Sequence, residues 1–201
     1  MGDEGDRREA ILRAAVRVFV QEGYAGSSVR SITDAAGCAT GTFYLYFPSK
    51  DDCFLALIDR LYRRVLDVVV QSRTSTSTVA EKLWRSIGAV AEVFSEERDL
   101  ASVVLLQGPG ISAGFRARLQ RVRLALANLI VQDLTEAGLD GWTAECAARA
   151  LTGALGEVLV WQVEEQSTRE RFLSAGEEVR RLFWRGFGLP PVKTADSPQH
   201  D

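Results

Sequence analysis

Between Gly37 and Ser49 the chain has room for one short helix and little else. Gly37 tolerates the backbone of a tight turn, and Pro48 drives the residue before it out of the helical region. Into this window fall Phe43, Tyr44, Tyr46 and Phe47, a dense cluster in a chain that is 8% aromatic. On a helix turning about 100° per residue, Phe43 and Phe47 share one face. Gly41, Thr42, Leu45 and Tyr46 fall on the other side, with Tyr44 on a flank. The first face predicts core. The second predicts a surface held out to touch something.

The surroundings are helical too. Residues 7–22 place Ile11, Leu12, Ala15, Val18 and Phe19 at helical spacing, with Gly23 where a terminating glycine belongs. Ser27 or Ser28 can cap a second helix ending at Ala36, and a third covers 39–46. Ser49 caps a long fourth helix to about residue 72, with Asp51 and Asp52 in its favourable first turn. Further helices are predicted at 79–95, 98–106, 113–137, 143–165 and 168–187, interrupted by the polar stretch 72–78, Gly108-Pro109-Gly110 and Gly138-Leu139-Asp140-Gly141. Strand-like alternation is missing, so the predicted fold class is all-α. Residues 188–201 lack core formers and read as a disordered tail. The expected organisation is a three-helix unit over 1–50, joined by the long fourth helix to a helical unit over 51–187.

Composition narrows the function. Hydrophobic residues at 46% and charged residues at 25% fit an ordinary globular protein, and the net charge of −3 confines any anion binding to a local patch. Cys38, Cys53 and Cys146 form no C-x-x-C pair and fit a reducing cytosol, with the thiols acting as small hydrophobes. No signal peptide or membrane span is read, so a cytoplasmic protein is expected. The one histidine, His200, lies in the tail, which removes histidine acid–base chemistry and histidine metal ligation together. The expectation is no enzyme, no metal and no cofactor.

Three short helices with a glycine turn between the second and third make a helix-turn-helix unit. Its residues sharpen this: Ile11-Leu12-Arg13-Ala14-Ala15, Phe19, Gly23-Tyr24, Ser28-Val29-Arg30-Ser31-Ile32, Ala36-Gly37, Gly41-Thr42-Phe43-Tyr44-Leu45-Tyr46-Phe47 and Ser49-Lys50. Over about residues 8–60 the chain resembles the N-terminal DNA-binding domain of the TetR family of transcriptional repressors. The third helix is then expected in the major groove. Gly41 permits close approach and Thr42 can meet a base edge, while the hydroxyls of Tyr44 and Tyr46 suit phosphates. Lys50, a cation in a helix's first turn, opposes the macrodipole, and phosphate contact supplies a reason for it. The resemblance adds Arg30, Ser27, Ser28 and Thr40 as DNA contacts. From Arg7 to Lys50, six basic residues (Arg7, Arg8, Arg13, Arg17, Arg30, Lys50) face Glu9, Glu22 and Asp34, the right local sign for DNA. Ala39 departs from the family, standing where a capping serine or threonine is usual, so Thr40 either caps the helix or reads DNA.

Beyond the head, residues 143–187 read as two helices built to pair. One carries small residues (Ala147, Ala150, Gly153, Ala154), the other Phe172, Val179, Leu182, Phe183 and Phe187. Two copies would form a four-helix bundle, giving a homodimer suited to a palindromic operator. The resemblance implies an effector pocket in the middle helices, for which Trp84, Phe94, Leu105, Phe115, Arg116, Arg123 and Trp161 are the candidates. The stretch Leu105–Leu119 faintly resembles family members that answer to acyl-CoA thioesters, so the effector is expected to be hydrophobic or acyl-CoA-like. The expected function is a ligand-responsive repressor that binds double-stranded DNA as a homodimer and is released by a small molecule. The rival reading, resting on Ala39, is a dimeric ligand- or partner-binding protein with a vestigial DNA head.

Overall fold

The computed structural model describes residues 2–73, 78–108 and 113–186, and these are helical without a strand. The head consists of α1 (Gly2–Gly26), α2 (Val29–Ala36) and α3 (Thr40–Tyr46). The long α4 (Lys50–Ser72) leads into α5 (Val79–Glu96) and α6 (Arg98–Ser102), which runs on as a π-helical segment, Val103–Gln107. Then follow α7 (Ala113–Glu136), α8 (Gly141–Glu164) and α9 (Arg169–Gly186). The all-α expectation holds. Among the described residues no helix is long and apolar enough to cross a membrane. Phe187 and the expected tail 188–201 lie outside the described residues, as do residues 74–77 of the polar loop and Pro109-Gly110.

Local chemistry explains most boundaries. Ser28, not Ser27, caps α2: its Oγ accepts from the Ser31 amide at 3.0 Å, and Ser31 Oγ accepts from the Ser28 amide at 2.9 Å. Gly37 closes α2 in the left-handed region at φ 68, ψ 36. Ser49 caps α4 by accepting from the Asp52 amide at 3.1 Å. Asp140 caps α8, accepting from the Trp142 and Thr143 amides at 3.1 Å each. Bonds from the Thr143 hydroxyl and then from backbone amides hold its carboxyl below the usual range. Gly23 ends the regular helix as the spacing predicts, at φ 71, ψ 161, and the chain adds one turn beyond that kink to Gly26. One expectation changes. The helix expected over 98–106 widens to π geometry from Val103.

One buried cluster runs from Ile11, Phe19, Ile32, Phe43 and Phe47 through Phe54, Leu57 and Leu61 to Phe94, Val103, Leu105 and Phe115. The shared wall is α4, whose buried residues Phe54, Leu57, Ile58, Leu61, Val65 and Val69 recur at helical spacing. Packing is therefore continuous across position 50. A second cluster (Leu83, Ala127, Ile130, Leu134, Ala144, Ala147, Ala148, Leu151) joins α5, α7 and α8. Cys53 is buried in the first cluster, and burial pushes its thiol up to about 12, as expected of a structural rather than a reactive cysteine.

Candidate functional site

The outer face of α3 is open. Phe43 and Phe47 are buried as the spacing predicts, their ring centres 5.6 Å apart, with the Arg8 guanidinium 5.0 Å from the Phe47 ring. Leu45 is 81% exposed and Tyr44 54%, so the ridge of α3 is Gly41–Leu45 flanked by Thr42 and Tyr44. A Cβ on Gly41 would meet nothing within 4 Å, so packing inside the chain does not require glycine there. Leu45, which the spacing put on the outward face but which was not among the expected DNA contacts, is open to solvent there. Tyr46, expected outside, is half-buried against the core. It lies three residues from Phe43, only about 60° round the helix from that inward residue.

The start of α3 settles the cap. Ala39 is the N-cap and offers no side-chain bond. Thr40 is the first helical residue, and its hydroxyl lies 3.4 Å from that of Thr33 rather than over the free amides. Helix α3 therefore goes without about 1 kcal/mol of capping. Arg30 is exposed on α2, 3.8 Å from Asp34. Ser27 is buried and donates to the Tyr24 carbonyl at 2.8 Å, so its hydroxyl closes the α1–α2 turn and does not project outward.

Lys50 is neither solvated nor simply held out. Its ammonium donates to the Tyr24 carbonyl at 2.6 Å and to the Ser27 carbonyl at 2.8 Å, and sits 4.3 Å from the centre of the Tyr24 ring. The cation at the start of α4 thus answers carbonyls at the end of α1, which repays its unfavourable place in its own helix. One of its three N–H groups remains. Tyr24 is held in turn by a hydrogen bond to Asp51, and burial followed by that bond raises its phenol well above the usual value.

Behind the head, α4, α5, the π segment, α7, α8 and α9 line a cavity of about 390 Å³. Its wall is mainly apolar: Val65, Val69, Ile87, Val90, Phe94, Leu105, Phe115, Leu119, Val122, Leu126, Leu155 and Leu159. Polar groups are few. Arg73 lines it but is committed to Asp133 and to the Leu129 carbonyl at 3.3 Å. Thr152 back-bonds to the Ala148 carbonyl at 2.8 Å. The Tyr62 hydroxyl is buried with no hydrogen-bond partner. Burial pushes its phenol up to about 12, against the opposing charge of Arg123, which lines the cavity yet is exposed. The cavity is thus a mainly apolar space with few polar groups on its wall, and the unanswered Tyr62 hydroxyl is buried in a residue of that wall.

The sequence of α1 through the first turns of α4 decides the family: residues 11–57 match the bacterial regulatory proteins of the tetR family. The chain belongs to this family. It is a DNA-binding transcriptional regulator and not an enzyme. The tetR-family chain is 27% identical over 163 residues to the fatty acid metabolism regulator protein of Bacillus subtilis (strain 168), a match spanning 78% of this chain and 84% of that protein. Its fold is similar to that of the fatty acid degradation regulator FadR from Bacillus halodurans, with a TM-score of 0.77 and 25% identity over 92% of this chain and 97% of that one. The FadR structure from Bacillus subtilis in complex with stearoyl-CoA shares the fold at a TM-score of 0.73 and 24% identity, over 87% and 96% of the two chains.

Of the effector candidates in this regulator, Phe94, Leu105, Phe115 and Arg123 line the cavity and Trp84, Arg116 and Trp161 do not. Trp84 neighbours Leu83 on α5 but turns outward, 40% exposed, with the Arg180 guanidinium 5.8 Å from its ring. Trp161 is 53% exposed, two residues and so about 200° beyond the inward Leu159. Arg116 follows the buried Phe115 and points to solvent. Sequence reasoning did not name Tyr62 or Thr152, which line the cavity. Tyr62 did carry a signal, as the one polar-tipped ring in the apolar stripe of α4.

Proposed function

We propose that this regulator represses transcription as a homodimer on a palindromic operator and is released when a long-chain acyl thioester enters the cavity. The observation that carries this reading is the apolar cavity, lined by helices that share one buried cluster with the DNA-reading helix. The acyl chain suits the wall, the thioester carbonyl can accept from Tyr62, and Arg123 is placed for phosphates of a coenzyme A headgroup. The likeness to a Bacillus subtilis regulator crystallised with stearoyl-CoA supports the same class of ligand. On DNA, Gly41, Thr42 and Leu45 meet base edges, Leu45 against a thymine methyl, while Tyr44, Tyr46, Lys50, Arg30, Thr40 and the Ser28 cap lie toward phosphates. Ser27 acts through the turn. The functional division follows residues 1–50 and 51–187 although packing is continuous. The dimer forms through α8 and α9, which expose Trp161 and Leu182 beside the small residues Ala150 and Gly153.

Gel shifts on fragments flanking the chain's own gene test the reading. Binding is expected to weaken steeply with salt and to be lost on adding stearoyl-CoA. Salt-independent or absent binding would favour a ligand-binding protein with a vestigial head. Tyr62→Phe separates ligand from fold. Removing a buried, unpaired hydroxyl should leave stability unchanged or slightly raised, while acyl-CoA affinity by calorimetry falls about tenfold. Unchanged affinity would take Tyr62 out of the site.

A further inference from the structure

Gly23 interrupts α1 at φ 71, ψ 161, outside helical geometry. Two groups flank the break, the Phe19 carbonyl and the Tyr24 amide. One side chain from far along the sequence answers both. The Tyr24 amide donates to Gln107 Oε1 at 2.8 Å, and Gln107 Nε2 donates to the Phe19 carbonyl at 3.0 Å. A carboxamide has the donor and acceptor of a peptide group, so Gln107 stands in for the missing rung.

Gln107 ends the π-helical segment, whose Leu105 lines the cavity two residues earlier. The next residue, Gly108, lies so close to the ring of Phe115, another wall residue, that a Cβ there would come within 2.3 Å of it. Gln107 is thus tied to the cavity on one side and to the break in α1 on the other. The connection continues from Tyr24. Its carbonyl is held by Lys50, which also holds the Ser27 carbonyl, next to the Ser28 cap of α2.

We infer that Gln107 is a positioning residue that carries occupancy of the cavity to the DNA-reading head. The inference rests on the cavity taking the effector. A ligand that displaces Leu105 or Phe115 moves the π segment, and because one planar amide makes both bonds, they are lost together. The last turn of α1 is then released, and with it the seat of α2. The free and occupied states differ in contacts that operator binding can sense, which is what coupling requires.

The test uses the full chain, stearoyl-CoA as the probe and Gln107→Met, which keeps the bulk and removes both bonds. In the parent protein, stearoyl-CoA is expected to lower operator affinity at least about tenfold and to speed hydrogen exchange of the peptide containing Tyr24 by a similar factor. In Gln107→Met that peptide should exchange fast from the outset. Calorimetry should show stearoyl-CoA bound at least as tightly as by the parent, since the variant has no Gln107 bonds to give up on binding, yet operator affinity should respond less than about threefold. A variant still released like the parent overturns the role of Gln107 and leaves the reading of the cavity standing. Equal Tyr24 exchange in the parent with and without bound stearoyl-CoA also overturns it. If the parent does not bind stearoyl-CoA, the acyl-thioester reading fails instead. Ligand-free Gln107→Met then decides, because parental Tyr24 exchange and operator affinity in that variant overturn the role of Gln107.

Discussion

Asp133→Ala is expected to lower the stability of the folded chain by about 3 kcal/mol, read as a shift in the midpoint of urea unfolding. Asp133 is 3% exposed and lies where α4, α5 and α7 meet. One carboxylate oxygen takes the Arg73 guanidinium, and the other takes the Lys82 ammonium at 3.0 Å. That contact with Asp133 holds the Lys82 ammonium above its ordinary range. Lys82 keeps Glu136 at 3.7 Å and some solvent, but the Arg73 side chain is only 10% exposed and loses the carboxylate that offsets its burial. The cost comes from a cation left in a poorly solvating place rather than from the worth of the pair. For that reason the double replacement Arg73→Met with Asp133→Leu should recover most of the loss. A single variant as stable as the parent, or a double variant worse than the single, would contradict this account. Because Arg73 also lines the cavity, the single variant should in addition weaken retention of an apolar ligand.

The head was legible in the sequence because its signals are local. Phe43 and Phe47 announce their burial by a spacing of four, Pro48 ends α3, and Ser49 begins α4 within a few residues. Other features depend on neighbours distant in sequence. The expectation of a phosphate at Lys50 had no means of including the carbonyls of Tyr24 and Ser27, 26 and 23 residues away, which its ammonium also meets. Gly23 announced a helix end, but not that Gln107, 83 residues on from Tyr24, would answer the amide beyond it. Large aromatics suggested a pocket, but periodicity alone does not say which face of α5 or α8 is inward. Trp84 and Trp161 turned out, whereas the cavity took its wall from aliphatics and from Tyr62. The family resemblance reached only the part of the chain where the motifs lie, and the family's shared DNA-binding pattern likewise matches residues 11–57.

Lys50→Met should weaken operator binding while also loosening the head in the absence of DNA. The side chain keeps its length but loses the two bonds to the Tyr24 and Ser27 carbonyls and the charge over the Tyr24 ring. Charge-assisted bonds of this kind stabilise by about 1.5–3 kcal/mol each when shielded, but Lys50 is half-buried, so about 2 kcal/mol for the pair is the expected local loss. That corresponds to roughly thirtyfold faster hydrogen exchange over the α1–α2 turn and the first turn of α2 in the free protein. Operator affinity should fall on every sequence alike, because the change disturbs how α2 and α3 are seated and not which base is read. The salt dependence apportions the rest. One N–H of Lys50 is uncommitted, and if it meets a phosphate the slope falls by about one unit as well. A variant that loses affinity with no change in exchange over the turn would place the whole role of Lys50 on DNA. The two carbonyl bonds would then be incidental to how the head is held.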